Sequence, residues 1–260
     1  MIRIRTVEEI ALLRENAQLV SKTLAEVGRH IKPGVSTKRL DTIAETFIRD
    51  HGAEPAFLGY EGFPATLCIS LNNTVVHGIP SNDVLHEGDI VSVDCGTRFK
   101  GYCGDSAYTF GVGELSAEDE TLLRVTHDSL FKGIEQAVAG NRVGDISAAV
   151  QNHVEPLGFS VVRDMVGHGI GTKIHESPDV PNYGRRGHGK RLAKGMVLCI
   201  EPMINAGGKA VYLSRDGWAL KTSDRKKSAH FELTVAIEAG RPEILSTFKW
   251  IDEYSSKYQD

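Results

Sequence analysis

The feature that most restricts what this chain can fold into is that it nearly repeats itself. Leu24, Gly34, Leu40 and Gly52 recur as Leu130, Gly140, Ile146 and Gly158, each 106 residues later. Gly88-Asp-Ile-Val-Ser-Val-Asp94 recurs as Gly195-Met-Val-Leu-Cys-Ile-Glu201 at an offset of 107, and His77-Gly-Ile is echoed by His168-Gly-Ile. A unit of this length is too long for a solenoid, whose repeats run about 20–50 residues. It points to a duplicated α+β unit, two halves sharing one core.

The texture of each half agrees. Val7, Ile10, Leu13, Ala17, Val20, Leu24, Val27 and Ile31 step by threes and fours, the stripe of an amphipathic helix, with Thr6 as N-cap, Glu9 three residues on and a stop at Pro33-Gly34. A second helix is capped by Ser36 or Thr37, turns Leu40, Ile43, Phe47 and Ile48 inward and closes at Gly52. Short β-rich runs follow: Thr66–Leu71, Ile90–Cys95 and Ser106–Phe110. From Ser116 the order starts again, with Leu122 to Val138 lining one helix and Ile146, Val150 and Val154 another that ends at Gly158. Phe159–Val162, Met196–Ile200 and His230–Ile237 then read as strands. The expected organisation is one domain over residues 1–250, in halves of about 1–112 and 113–250, with a polar tail at 251–260.

Composition narrows the class of partner. Thirty Lys and Arg against 34 Asp and Glu give a net charge of −4, which argues against nucleic acid, whose binders are basic; no DNA partner is expected. Four scattered cysteines without a C-x-x-C pair exclude a zinc ribbon and read as small buried hydrophobes in a reducing compartment. Met1–Leu13 lacks the apolar stretch of a signal peptide, and no window approaches 18 uncharged apolar residues. A cytoplasmic protein with no membrane contact is the expectation.

Carboxylates stand where they are out of place. Asp94 and Glu201 each end an apolar run, Glu232 sits within Phe231-Glu-Leu-Thr-Val-Ala-Ile, and Asp105 follows Asp94 by eleven residues, a spacing that suits two arms of a hairpin. Any one alone could be an exposed strand end. Four together at equivalent points of two halves, with few basic neighbours, call for a cation, because a buried carboxylate is costly unless paired or metal-bound. His168, between Gly167 and Gly169, adds a nitrogen, and a mixed His/carboxylate set suits Mn, Fe, Co or Zn over Ca or Mg.

Taken together, His77-Gly-Ile-Pro80, Asp94-x10-Asp105, Gly167-His-Gly-Ile-Gly-x3-His175-Glu, Glu201-Pro-Met and Ser228-Ala-His-Phe-Glu232 resemble the type I methionine aminopeptidases, from about residue 3 to about 248. The resemblance implies the duplicated pseudo-two-fold "pita-bread" fold, an antiparallel sheet with helices on its outer face. It implies two divalent metal ions, with Asp94 on one, His168 and Glu201 on the other, and Asp105 and Glu232 bridging. It further implies hydrolytic removal of an initiator methionine from nascent chains whose second residue is small, by a hydroxide shared between the metals. Glu201 would be the general base, His175 would donate to the developing oxyanion, and His77 would lie over the substrate amine. The methionine pocket would comprise Tyr60, Phe63, Cys68 and Trp218, with Phe57 and Ile174 nearby; without the resemblance these are ordinary core candidates.

This chain departs from the family pattern in three places. Ile174 replaces an aromatic residue, Leu233 a histidine, and His230 a glutamine. With a period of two, His230 shares a face with Glu232, so it is expected to orient that carboxylate while Leu233 packs. Arg185, Arg186, Lys190, Arg191 and Lys194 crowd ten residues without an acid; such a run is either a solvated loop or a contact to ribosomal RNA, since phosphate attraction is sequence-independent. A monomer is expected. The rivals are a proline-specific hydrolase of the same fold and a binding protein that has lost the metals.

Overall fold

The computed structural model describes residues 2–251. Helix α1 (Val7–Gly28) opens with a reciprocal cap: the Glu9 amide donates to the Thr6 hydroxyl at 3.2 Å and the Thr6 amide to the Glu9 carboxylate at 2.9 Å. Two of the helix's free N-terminal amides are thereby satisfied. Ile10, Leu13, Ala17, Val20, Leu24 and Val27 are buried, whereas Val7, at the first helical position, stands exposed. The helix ends before Pro33-Gly34 is reached, because the His30 and Ile31 amides donate to the Val27 and Gly28 carbonyls, three residues back, and tighten the chain into a turn. Ile31 therefore lies outside the helix it was expected to extend.

Helix α2 (Thr37–Asp50) is capped by Ser36, α3 (Ala117–Ile134) by Ser116, and α4 (Val143–Val154) runs into one 3₁₀ turn at Glu155–Leu157. Helix α3 stops short of Val138 for the same reason that α1 stops early: the Gln136 and Ala137 amides turn back to Gly133 and Ile134. The two first helices end at Gly28 and Ile134, and the two second helices begin at Thr37 and Val143; both pairs keep the offset of 106. Gly34, Gly52 and Gly88 have φ of 85°, 74° and 82°, and their counterparts Gly140, Gly158 and Gly195 have 103°, 88° and 87°. Each pair sits in the left-handed region where a side chain is penalised.

The strands follow in chain order: β1 (Glu54–Pro55), β2 (Leu67–Leu71), β3 (Thr74–Val76), β4 (Ile90–Phe99) and β5 (Tyr102–Gly111) in the first half. The second half holds β6 (Ser160–Val161), β7 (Gly167–Gly169), β8 (Glu176–Val180), β9 (Val197–Ile200) and β10 (Met203–Asn205). It continues with β11 (Val211–Leu213), β12 (Leu220–Thr222), β13 (Ser228–His230), β14 (Leu233–Ala236) and β15 (Glu243–Ile244). One antiparallel sheet is centred on β4, with β5 on one side and β2 and β1 on the other. A second has the order β15-β14-β9-β7-β8, also antiparallel. They join where Glu232, just before β14, bridges Ala107 of β5: the Glu232 amide donates to the Ala107 carbonyl at 2.9 Å.

Helix α1 packs on β4 and β5 and against α2, while α3 and α4 pack on each other and α3 meets β9. The main core lies between these helices and the sheets, and includes the repeated Leu24, Leu40, Leu130 and Ile146, all fully buried. Burial of such a side chain contributes about 1.5–3 kcal/mol. A separate apolar cluster containing Phe57, Phe63, Cys68, Ile174 and Cys199 lies between the sheets and the remaining face of α1. Among the described residues no helix is long and apolar enough to cross a membrane. Ile251, assigned from the sequence to a polar tail, is 4% exposed and packs into the main core, since the amide of Ile251 donates to the Phe248 carbonyl and folds the segment back. The rest of the tail expected at 251–260 lies outside the described residues.

Candidate active site

Asp94 does not end its strand. Strand β4 runs on to Phe99, and Asp94 sits at its middle, opposite Ala107 of β5 and Cys68 of β2. Asp105, two residues before Ala107, pairs with Gly96, two residues after Asp94, so both aspartates project from one face of the hairpin as diagonal neighbours. In the second sheet the register Leu233↔Ile200, carried one residue further, sets Glu232 opposite Glu201. The two sheets thus turn four carboxylates toward one point.

His168 is delivered to the same point by β7, in register with Cys199 of β9. Its flanking glycines are a steric requirement: a Cβ on Gly167 would lie 2.4 Å from the Cys199 carbonyl oxygen, and one on Gly169 would lie 2.5 Å from that of Ser177. His168 Nδ1 lies 3.0 Å from the Gly169 carbonyl and donates to it, leaving the Nε2 lone pair to face the carboxylates. Nε2 stands 3.7 Å from Asp105 Oδ2 and 3.5 Å from Glu201 Oε1. These separations are too long for hydrogen bonds and suit two ligands of one ion.

The site has no cation of its own making. The surrounding cavity of about 480 Å³ is lined by no lysine or arginine among the described residues. Asp105 and Glu232 are each 2% exposed, and Asp94 Oδ1, Asp105 Oδ1 and Glu232 Oε1 are buried without a hydrogen-bond partner. Withdrawal from water pushes the Asp94 carboxyl up to about 7. Burial, followed by repulsion from Glu232 and Asp94, holds Asp105 well above its usual range. Glu201 and Glu232 are raised the same way, first by burial and then by the neighbouring acids. Burial lowers His168 and His230 to about 3, so both are neutral and free to ligate. Unpartnered carboxylate oxygens beside a neutral imidazole fit a divalent metal centre, and one donor atom from each of Asp105, His168, Cys199 and Glu232 lies within 4.8 Å of the others.

Of the residues expected at the site, Phe57, Tyr60, Phe63, Cys68, His77, Asp94, Asp105, His168, His175, Glu201, Trp218 and Glu232 all line the cavity. Ile174 does not: it is 1% exposed and packs behind the wall, in the cluster containing Phe57 and Phe63. Phe63 and Trp218 meet edge to face at 5.1 Å. His175 stands perpendicular to His168 at 4.4 Å, and its Nδ1 lies 3.1 Å from the Tyr60 hydroxyl. His77 has φ of 59°, a conformation costly for a non-glycine residue, held in the cavity wall.

His230 also lines the cavity, fully enclosed, with Nε2 unpartnered. The carboxylate that its Nε2 faces at 3.7 Å is Glu201, through Oε2, rather than the Glu232 expected from strand periodicity. The reason is local: Glu232 falls between β13 and β14, where the alternation is interrupted. Leu233 packs in the main core, as expected. Val76, Met165 and Met203, which complete the apolar wall, and Cys199 are site residues that nothing in the sequence patterns above singles out. Cys199 and Met203 each lie two residues from Glu201, and that spacing was the available signal.

A cavity that joins an acidic, histidine-bearing floor to apolar walls, set between two related antiparallel sheets, defines a metallopeptidase site. The model of metallopeptidase family M24 matches residues 11–239. A methionine aminopeptidase of Clostridium perfringens is 53% identical over 249 residues, covering 96% of this chain and all of that protein. Methionine aminopeptidase 1 of Bacillus subtilis is 50% identical over 246 residues, covering 95% and 99%. The crystal structure of methionine aminopeptidase from Rickettsia prowazekii superposes with a TM-score of 0.94 at 41% identity, covering 95% of this chain and all of that one. The chain belongs to metallopeptidase family M24, among its methionine aminopeptidases.

Proposed function

We propose that this chain removes the N-terminal methionine from peptides and nascent proteins whose second residue is small. The observation that carries the reading is the meeting, in one cavity, of unpartnered carboxylate oxygens with a wall of Tyr60, Phe63, Cys68 and Trp218. In this reading Asp94 would hold one divalent ion, His168 and Glu201 would hold a second, and Asp105 and Glu232 would serve both. Two such ions, from among Mn, Fe, Co and Zn, would polarise the scissile carbonyl and acidify a bound water.

The protein's own groups do the rest. Glu201, a carboxyl raised by burial, takes a proton from the attacking water and returns it to the leaving amine. His175, neutral because burial lowers it, donates a hydrogen bond that strengthens as charge develops on the carbonyl oxygen. His77, lowered by burial and by His175, stays neutral over the substrate amine and accepts from it. The apolar wall takes the unbranched thioether. A pocket of this kind separates side chains differing by one methylene by only about 1–3 kcal/mol, so norleucine is tolerated better than a β-branched or charged residue.

The same proposal takes the two halves, through at least Ile251, as one catalytic unit working as a cytoplasmic monomer. It also includes a ribosome contact. Arg185, Arg186, Lys190, Arg191 and Lys194 are all exposed. Arg186 faces Asp145 at 3.9 Å and Lys194 faces Glu238 at 2.7 Å, exposed pairs that leave both side chains at the surface with the other three. Neutralising all five should weaken co-sedimentation with ribosomes; unchanged sedimentation removes the contact.

The deciding experiment is a peptide panel on metal-stripped protein, with Mn, Fe, Co and Zn added back. Met-Ala-Ser should release methionine only with metal, and Glu201→Gln should lose most turnover. Equal release of leucine, or equal cleavage of proline-containing peptides, would refute the specificity. A protein that takes up no metal would be a binder.

A further inference from the structure

We propose that Cys199 supplies a sulfur donor to the metal gathered by Asp105, His168 and Glu232, an inference that rests on the metal-centre reading above. Strand register sets His168 of β7, Cys199 of β9 and Thr234 of β14 abreast on three neighbouring strands. Side chains of paired residues leave a sheet on the same face, as do residues two apart on one strand. Cys199 therefore projects beside His168 and toward the side that Glu201 occupies. Its sulfur belongs to the group of donor atoms that all lie within 4.8 Å of one another.

Two further observations separate this thiol from an ordinary buried cysteine. Asp105 Oδ1 and Glu232 Oε1, on residues 2% exposed, have no hydrogen-bond partner and need an electrophile between them. The Thr234 hydroxyl, 3.5 Å from the sulfur, has its proton committed to the Asp105 carbonyl at 2.7 Å, so between these two groups the thiol is the donor, and it also hydrogen-bonds Glu232. The sulfur receives no hydrogen bond from Thr234, which leaves its lone pairs for a metal. On coordination the S–H bond breaks, its proton leaves to solvent, and the sulfur's electron pair forms the bond to the metal without any redox change. A soft donor in an otherwise oxygen-and-nitrogen set biases the site toward Zn and Co over Mn.

The test is cobalt(II) titration of the stripped full-length protein, following optical absorption and bound cobalt together. The wild type should develop a sulfur-to-cobalt charge-transfer band in the near ultraviolet. Cys199→Ser and Cys199→Thr should bind cobalt without that band. Zinc affinity in both should fall by the ten- to hundredfold typical of a lost metal-site partner, with manganese affinity moving less. Circular dichroism confirms that the variants are folded, and Cys68→Ser, which alters another buried thiol of the same apolar cluster, should keep the band. Stoichiometric cobalt without the band in the wild type would overturn the sulfur ligand and leave the metal centre intact, and so would a band surviving in Cys199→Ser. Failure of the wild type to take up cobalt would remove the metal-centre reading itself, and the sulfur ligand with it.

Discussion

His175 must carry its proton on Nε2 to donate toward a developing oxyanion, and Tyr60 decides whether it does. Burial, with the nearby Glu61 carboxylate, raises the Tyr60 phenol, so the hydroxyl keeps a proton that it can donate to His175 Nδ1 across 3.1 Å. In the tautomer that oxyanion donation requires, Nδ1 accepts that proton's hydrogen bond and the neutral imidazole has its single N–H on Nε2. Tyr60→Phe keeps the ring in the pocket wall and removes only this constraint. We expect kcat to fall about tenfold, the equivalent of one hydrogen bond, with KM little changed; a rise in KM at constant kcat would make Tyr60 a wall residue only. His230→Gln should keep turnover but shift the metal titration, because His230 Nε2 faces Glu201 Oε2 and a glutamine amide can meet the same oxygen. Identical titration curves would dismiss a role for His230. The sequence disclosed the carboxylates and His168 because charge in apolar runs has few explanations. It hid Cys199 and Met203, since sulfur side chains read as core wherever they lie, and it moved Ile174 into a pocket whose wall the residue only supports.

Strand β7 is short, three residues, and its geometry depends on having no side chain at either end. Gly169→Ala would drive a Cβ to 2.5 Å from the Ser177 carbonyl and 3.0 Å from that of Glu176, contacts with backbone that cannot swing away. Overpacking of this sort costs about 1–3 kcal/mol, and here it displaces His168, so both melting temperature and metal affinity should drop. Loss of stability with unchanged affinity would mean the strand is not what aims the imidazole. Gly34 and Gly140 offer a cleaner contrast. Nothing lies within 4 Å of a Cβ built on either, so alanine there should cost only the left-handed conformation, about 1–2 kcal/mol each. Near-equal values in denaturant titrations are expected from equivalent turns of two halves. These turns were legible because glycine at a fixed offset leaves a mark that hydrophobic periodicity does not. The helix ends were not, since α1 and α3 stop through three-residue backbone turns that almost any sequence can adopt, and the centre of β4 was hidden by reading Asp94 as a strand end.

Across the whole molecule a net charge of −4 conceals the concentration of carboxylates at one point, and that concentration controls how stability responds to pH. In the metal-stripped protein the Asp94 carboxyl is raised from an ordinary 3.8 to about 7, and Asp105, Glu201 and Glu232 are raised well above their usual values. Each such group binds a proton in the folded state that the unfolded chain has already lost. Its contribution is present below the unfolded value and disappears as pH rises through the folded one. His168 and His230 act in the opposite sense: lowered from 6.5 to about 3, they contribute above 6.5 and are lost as pH falls. The two effects oppose one another in mildly acidic solution, but above pH 6.5 the histidines are neutral in both states and only the carboxyls remain. Stability of the stripped protein should therefore fall between about pH 6.5 and about pH 8, by about 1.4 kcal/mol per pH unit for each proton released. Saturating metal removes the need for those protons, because the cation stabilises the carboxylates as anions, and the loaded protein should be flat or more stable over the same range. Thermal melts of the two forms across that window test the idea directly. A stripped protein whose melting temperature is level or climbs from pH 6.5 upward would show that the four carboxyls are already ionised without a metal, and that the sheets hold them apart more effectively than their shared floor suggests.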